Sequence, residues 1–264
     1  MDLQLNNKVF LIAGASKGLA YAIAEKLLQE GAKIAIASSD AQRIASAKQA
    51  LLLRYPEADV FTYVCDVMQV QDIEDWVVKS HAYFGRIDGL VVNAGGPSPG
   101  TFDDLDDEAW LSAFNLTLMS AVRMIRQVLP IMRKQGSGSI LTLTSSSVKE
   151  PIDFLLLSNV MRSGVTSLAK SLSAAEAAHG IRVNNLIPGI IATDRMKNLD
   201  AIQAQANGIT VAQQHAQFSQ EIPLGRYGEP EEFANAAAFL LSAAASYITG
   251  ASLVADGGTM KTVW

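Results

Sequence analysis

The sequence predicts an α/β protein, a single domain built on a doubly wound parallel sheet. Three observations carry that expectation. Short apolar runs without polar alternation recur along the chain, as strands buried on both faces require. Most of these runs are followed by a segment whose apolar residues fall three and four apart, the helical period. A glycine-rich turn joins the first run to the first helical segment. Parallel strands need a covering crossover, so this alternation places helices on both faces of one sheet.

The elements follow in order. Residues 8–13 (KVFLIA) read as a fully buried strand. Residues 20–30 form a helix that Gly31 ends. A strand at 33–37 precedes a helix at 42–55, stopped by Pro56. Next come a strand at 60–64, a helix at 70–84 and a strand at 89–93. One longer helix spans 107–135, followed by a strand at 139–143. An Ala- and Ser-rich helix covers 157–179, and a sixth strand covers 181–187. Residues 190–222 are polar or helical and lack strand character; a helix at 230–242 and a strand at 253–255 close the chain. No linker, low-complexity segment or short repeat interrupts this pattern, so residues 1–264 read as one domain.

Composition excludes several function classes. With 49% hydrophobic and 18% charged residues, the chain suits a globular protein with a large core. A net charge of −5 with no basic block argues against nucleic acid and against an anionic membrane surface. The single Cys65 cannot form an internal disulfide, which fits a reducing compartment. The N-terminus lacks the pattern of a signal peptide, and no apolar stretch reaches the about 18 residues of a membrane span, so a cytoplasmic location is expected. His81, His179 and His215 are scattered and no Cys–His cluster exists, so no metal site is expected. Ser145 lacks a G-x-S-x-G elbow and an ordered His partner, which argues against a serine hydrolase.

The turn Ala13-Gly14-Ala15-Ser16-Lys17-Gly18-Leu19-Ala20 stands where the first strand meets the first helix. A pyrophosphate needs close backbone approach and free N–H groups at a helix start, and glycines allow both. The spacing departs from G-x-G-x-x-G. It resembles the Thr-Gly-x-x-x-Gly-x-Gly of the short-chain dehydrogenase/reductase family, NAD(P)-dependent oxidoreductases on a Rossmann-type sheet. Ala13 replaces the Thr and Ala20 the last Gly. The resemblance then runs along nearly the whole chain. Cys65-Asp66-Val67 resembles the Asp-Val pair that meets the adenine, and Asn93-Ala94-Gly95 the Asn-Ala-Gly beside the adenine ribose. Asn115 resembles the helix Asn that supports an active-site water chain. Asn184 with Pro188-Gly189-Ile190-Ile191-Ala192-Thr193 resembles the motif that holds the nicotinamide carboxamide. Tyr247-Ile248-Thr249-Gly250 and Asp256-Gly257-Gly258 match the closing signature. The nearest look is to 3-oxoacyl-ACP reductase-like proteins.

At the catalytic position the chain departs from the family. The usual Tyr-x-x-x-Lys reads Ser158 and Arg162, with Ser145 lying 13 residues before Ser158, the family's interval. A Tyr would donate a proton to the carbonyl, with Lys lowering its pKa and holding the nicotinamide ribose. A Ser hydroxyl is shorter and far less acidic, and Arg keeps the charge without relaying a proton. The resemblance therefore implies that Ser145 polarises the carbonyl, Arg162 holds the ribose and Asn115 orders water. Three readings compete: reduction with an alternative acid (ordered water, Asn159, Lys149 or Asp153), reduction of a C=C or imine that needs none, or a binding protein without turnover. The residue-level alternatives are a helix N-cap for Ser158 and a surface ion pair for Arg162.

Cofactor preference follows from the end of the second strand. NAD-binding members hold an acid there; here stand Ser38 and Ser39, and Lys17 in the turn can neutralise a 2′-phosphate. Asp40 lies two residues past the usual acid position, and Arg43 lies near it. NADP(H) is expected, with NAD(H) as the alternative. The cofactor-binding set is Gly14, Ser16, Lys17, Gly18, Leu19, Ser38, Ser39, Asp66, Val67, Asn93, Ala94, Gly95, Arg162, Pro188, Gly189, Ile191 and Thr193. The partner is a small carbonyl or alcohol substrate, under a lid at about 190–222. The loop Gly95-Gly96-Pro97-Ser98-Pro99 borders the pocket. The small residues of helix 157–179 (Ser163, Gly164, Ser167, Ser171) allow close approach of another helix, and the family resemblance implies a homotetramer; the tail ending in Trp264 is expected to pack on a neighbouring subunit.

Overall fold

Seven parallel strands in the order β3-β2-β1-β4-β5-β6-β7 form one sheet in the computed structural model, which describes residues 1–263. Trp264 therefore lies outside the described residues. In chain order the elements are β1 (Val9–Ala13), α1 (Gly18–Gln29), β2 (Lys33–Ser38), α2 (Ala41–Arg54), β3 (Val60–Val64), α3 (Val70–Phe84) and β4 (Gly89–Val92). There follow α4 (Asp107–Ala113), α5 (Ser120–Gln135), β5 (Gly138–Leu143), α6 (Leu156–Ala175) and β6 (Ile181–Pro188). The chain closes with α7 (Asp194–Asn207), α8 (Val211–Glu221), α9 (Pro230–Leu241) and β7 (Ser252–Ala255).

The two helical layers explain the unbroken apolar strands. Phe10 and Ile12 of β1 pack with α1, α2 and α9, whereas Val9, Leu11 and Ala13 pack with α3, α5 and α6. Successive side chains point to opposite faces, so a strand covered on both sides must be apolar at every position. Trp76 on α3 is fully buried, as are Ile23 and Leu27 on α1. Each such side chain contributes about 1.5–3 kcal/mol by leaving water.

Most expected elements form with ends shifted by a few residues. The expected helix at 107–135 is instead interrupted by a π-helical turn, Phe114–Met119. Ser120 Oγ donates to the Leu116 carbonyl at 2.6 Å, engaging a carbonyl that the backbone ladder of an α-helix would use. The helix at 157–179 ends at Ala175, and a short 3₁₀ turn carries the chain to left-handed Gly180. The expected lid is a pair of helices, α7 and α8. Cys65 is buried and free, and burial pushes its thiol pKa up to about 12. Among the described residues, no helix is long and apolar enough to cross a membrane.

Candidate active site

Strand order reverses between β1 and β4, the place at the carboxyl ends of the strands where open parallel sheets leave a crevice. The turn after β1 fills it. Gly14 (φ +62°) and Gly18 (φ +67°) both adopt left-handed backbone that other residues rarely take. A Cβ on Gly14 would also lie 2.7 Å from Asn93 Nδ2. That amide donates to the Ala13 carbonyl at 3.2 Å, so Asn93 ties the ends of β1 and β4 together. Ala94 and Gly95 continue the chain beyond β4, with Gly95 exposed. Lys17 occupies the N-cap position of α1 in extended backbone, and no side chain caps this helix start. The first N–H groups of α1, with Leu19 in its first turn, are thus left without a side-chain acceptor, an arrangement that can hold an anion. Lys17 is exposed and has no carboxylate partner among the described residues. Ala20 is buried, so its methyl fits the close approach that a glycine would allow.

At the end of β2, Ser38 is buried and donates its hydroxyl to Ser16 Oγ at 3.1 Å, while Ser39 is exposed. Asp40 caps α2 and accepts from both the Arg43 backbone N–H and Arg43 Nε at 2.8 Å. Those bonds hold its carboxyl below the usual range. Asp40 and Arg43 are thus committed to each other. Beyond β3, Asp66 Oδ1 accepts from the Met68 N–H at 3.0 Å, and Val67 packs on the core beside it.

The strands on the other side carry the candidate chemistry. Ser145 follows β5, is half-buried, and accepts from the Ser147 N–H at 3.2 Å. Ser158 is not an N-cap: Leu155 holds that position without a side-chain bond, and Ser158 lies buried in the first turn of α6. Arg162 is not in a surface ion pair either. Its Nε donates to Ser158 Oγ at 3.2 Å and its Nη1 to the Leu143 carbonyl at 3.2 Å. Burial and the nearby Arg195 guanidinium push its pKa down to about 10. The structure therefore links Ser158, Arg162 and the end of β5, two residues before Ser145.

Several expected site residues have other contacts. Asn115 lies in the π turn, where its amide donates to the Leu111 carbonyl at 3.0 Å and accepts from Arg123 Nη2 at 3.3 Å. Arg123 in turn reaches the Met68 carbonyl, so Asn115 is joined to the β3 side of the molecule. Thr117, two residues on, is buried, and its hydroxyl has no protein partner among the described residues. This side chain was missed because nothing in its type or periodicity marks it. Asn184 is also committed elsewhere: it donates to the Ile248 carbonyl and accepts from the Ala251 N–H, anchoring the segment that enters β7. Asn159 bonds both the carbonyl and the N–H of Ile152, closing the loop before α6. Asp153 is exposed. Lys149 lines an open cavity of about 540 Å³ with Asp256 and Met260.

The β6 end leads into a tight passage beside β7. Pro188 is the last residue of the strand, and a Cβ on Gly189 would lie 2.5 Å from Asp256 Cα, so only glycine lets the chain pass. Ile191 bridges Gly228, and Thr193 caps α7 through the Met196 N–H. Arg195, in the first turn of α7, lays its guanidinium over Gly96, where a Cβ would meet Nη2 at 2.6 Å.

A family model described as enoyl-(acyl carrier protein) reductase matches residues 14–260. The NADPH-dependent reductase BacG of Bacillus subtilis is 32% identical over 259 residues, covering 98% of this chain and 100% of that protein. The L-sorbose reductase of Gluconobacter frateurii, solved with NADPH and L-sorbose, superposes with a TM-score of 0.95 at 31% identity, covering both chains fully at 100%. An NADPH-bound short-chain oxidoreductase of Pseudomonas aeruginosa PAO1, described as containing an atypical catalytic center, gives a TM-score of 0.89 at 30% identity over 98% of this chain and 100% of that one. The chain belongs to the short-chain dehydrogenase/reductase family.

Proposed function

We propose that the protein is an NADP(H)-dependent reductase of a small carbonyl compound, such as a 3-oxoacyl or hydroxylated ketone, with an altered catalytic pair. The bond from Arg162 Nε to Ser158 Oγ carries the reading. Bound NADPH supplies the hydride. The uncapped start of α1, Gly14 and Lys17 suit its diphosphate, and the Ser16–Ser38 pair with Lys17 suits a ribose 2′-phosphate better than an acid would. BacG and the sorbose reductase, which use or bind NADPH by name, support the same choice.

The proton is the chain's own problem. Ser158 spends a lone pair on a cationic donor, which leaves its hydroxyl hydrogen free to donate. A charge-assisted bond of this kind stabilises negative charge on the accepting oxygen. The shorter Ser reaches the carbonyl oxygen through one ordered water, whose proton moves as the alkoxide forms. Ser145 polarises the same oxygen. Arg162 Nη2 has no protein partner among the described residues and suits a ribose hydroxyl. The exposed small residues Ser163, Ser167 and Ser171 of α6 support packing of four copies.

Calorimetric titration with NADPH and NADH, on the native chain and on Ser38→Asp, tests the cofactor reading. The native chain should bind NADPH about tenfold or more tightly than NADH, since a 2′-phosphate adds charge-assisted bonds, and the Asp variant should invert that order. Binding of neither would make a structural or partner-binding role the better reading.

A further inference from the structure

The turn that carries Ser145 is tied to the far end of the chain. The Ser145 carbonyl accepts from the Val148 N–H at 3.2 Å, and the Ser146 carbonyl from the Lys149 and Glu150 N–H groups at 2.9 and 3.1 Å. The Ser147 N–H donates to Ser145 Oγ, so residues 145–150 turn as one unit that sets where this hydroxyl points. The turn ends at Glu150, whose carboxylate accepts from the Lys261 N–H at 2.7 Å, a partner 111 residues away. Glu150 has no cation within ion-pair distance among the described residues. The tail, residues 259–263, is itself anchored. Asp256 accepts from the Gly258 N–H at 2.8 Å and from the Met260 N–H at 2.7 Å. Asp256 is fixed in turn at the end of β6: the Gly189 N–H donates to the Ala255 carbonyl at 2.9 Å, and Gly189 passes against Asp256 Cα. Thr262 and Val263 are exposed and, with Met260, line an open cavity of about 540 Å³ shared with Lys149 and Val254. The tail thus stands off the sheet here, and the Glu150 bond is its link to the turn.

We propose that Glu150 is a positioning residue: by holding the tail at Lys261 it fixes the turn 145–150, and with it the Ser145 hydroxyl, relative to the end of β6. The role in turnover rests on the reductase reading above; the hold itself rests on the hydrogen bonds alone. β5 and β6 are neighbouring strands, so the tail bridges their ends outside the sheet's own ladder. A turn closed only by its own short-range bonds opens locally at little cost, and a tie to a distant segment raises that cost. A carboxylate on a backbone N–H makes a stronger bond than a neutral acceptor would. The precision matters because a hydroxyl that polarises a carbonyl must stay within hydrogen-bond reach, and a displacement of about 1 Å costs up to about 100-fold in rate.

The test uses the full chain. Glu150→Ala removes the acceptor, and Lys261→Pro removes the N–H donor while Glu150 stays in place. Hydrogen exchange over residues 145–150, read by mass spectrometry, should be about tenfold or more faster in both, and no faster in the double variant than in either single one. Exchange should stay close to native in Glu150→Gln, whose amide oxygen still accepts, and in Lys261→Ala, which keeps the N–H. Unchanged exchange in Glu150→Ala, or additive effects in the double variant, overturns the hold. NADPH oxidation on ethyl 3-oxobutanoate reads the role in turnover. Glu150→Ala should lower kcat about tenfold, with NADPH affinity by calorimetry unchanged, and Glu150→Gln should recover most of the loss. In a Ser145→Ala background, Glu150→Ala should cost nothing further. A loss of the same size without the Ser145 hydroxyl makes Glu150 a structural residue and overturns the positioning role. A native chain that binds NADPH and reduces no ketone sinks the reductase reading instead, and exchange alone then decides the hold.

Discussion

Arg162 Nε donates to the Ser158 hydroxyl at 3.2 Å across one turn of α6. Residues four apart on a helix face the same way, so this pair is held by the helix itself rather than by a loop. Its other bond, to the Leu143 carbonyl, fixes the guanidinium against the end of β5. The family's Tyr and Lys occupy the same spacing, but here the cation acts on a short hydroxyl.

That relationship predicts the effect of breaking it. Ser158→Ala should lower kcat about 100-fold, within the range of a lost general acid, with a smaller change in KM. Arg162→Lys should also lose activity, because one ammonium cannot keep both the Ser158 and Leu143 bonds in the guanidinium geometry. Steady-state NADPH oxidation on a small ketone reads both. An unimpaired Ser158→Ala variant would place the proton donor elsewhere.

Arg162 also predicts a conflict between stability and function. Burial, reinforced by Arg195, lowers its pKa to about 10 in the folded chain, below its ordinary value. Below that pH, Arg162 is charged in both states, and placing the charge in the crevice opposes folding. Between about 10 and the ordinary guanidinium value, the unfolded chain binds more protons, so this residue's contribution to stability rises with pH. Arg162→Met should therefore raise the Tm of the ligand-free protein by about 1–3 °C near neutral pH while abolishing turnover. Calorimetric scans of both proteins decide it; a lower Tm in the variant would mean that the two hydrogen bonds outweigh the buried charge.

The helix pair α7 and α8, the proposed lid, has its own buried anchor. Tyr227 donates to Asp200 Oδ1 at 2.9 Å, and the His215 ring lies 4.2 Å from the Tyr227 ring, so α7 and α8 are pinned to the segment before α9. Tyr227→Phe leaves the buried carboxylate without that donor, at about 1–3 kcal/mol. The expected result is faster proteolytic cleavage within residues 194–221 and a larger rise in KM than fall in kcat. Limited proteolysis with mass spectrometry, beside steady-state kinetics, checks it. Unchanged cleavage would show that the lid is held by other contacts.

The sequence by itself determined the sheet, its helical layers and the glycine turn after the first strand. Unbroken apolar strands, helical periodicity and Gly14 and Gly18 are local signals, and α3 was legible from Val70 to Phe84 because its pattern and its Gly85 stop agree. It also set the 13-residue interval from Ser145 to Ser158 and the Ser158–Arg162 pair. Tertiary structure alone decided where polar side chains spend their bonds. Asn115 turned toward Arg123 in a π turn that apolar periodicity cannot register, and Thr117 took the buried position nearby. Asn184 was claimed by backbone atoms more than 60 residues away, a partner that no local pattern names. The approach of Arg195 to Gly96 came from the fold as well, since segments distant in the chain converge only where the strand order brings them. Backbone and burial preferences act over a few residues and can be read along the chain; hydrogen-bond partners and charge neighbours depend on distances that exist only after folding.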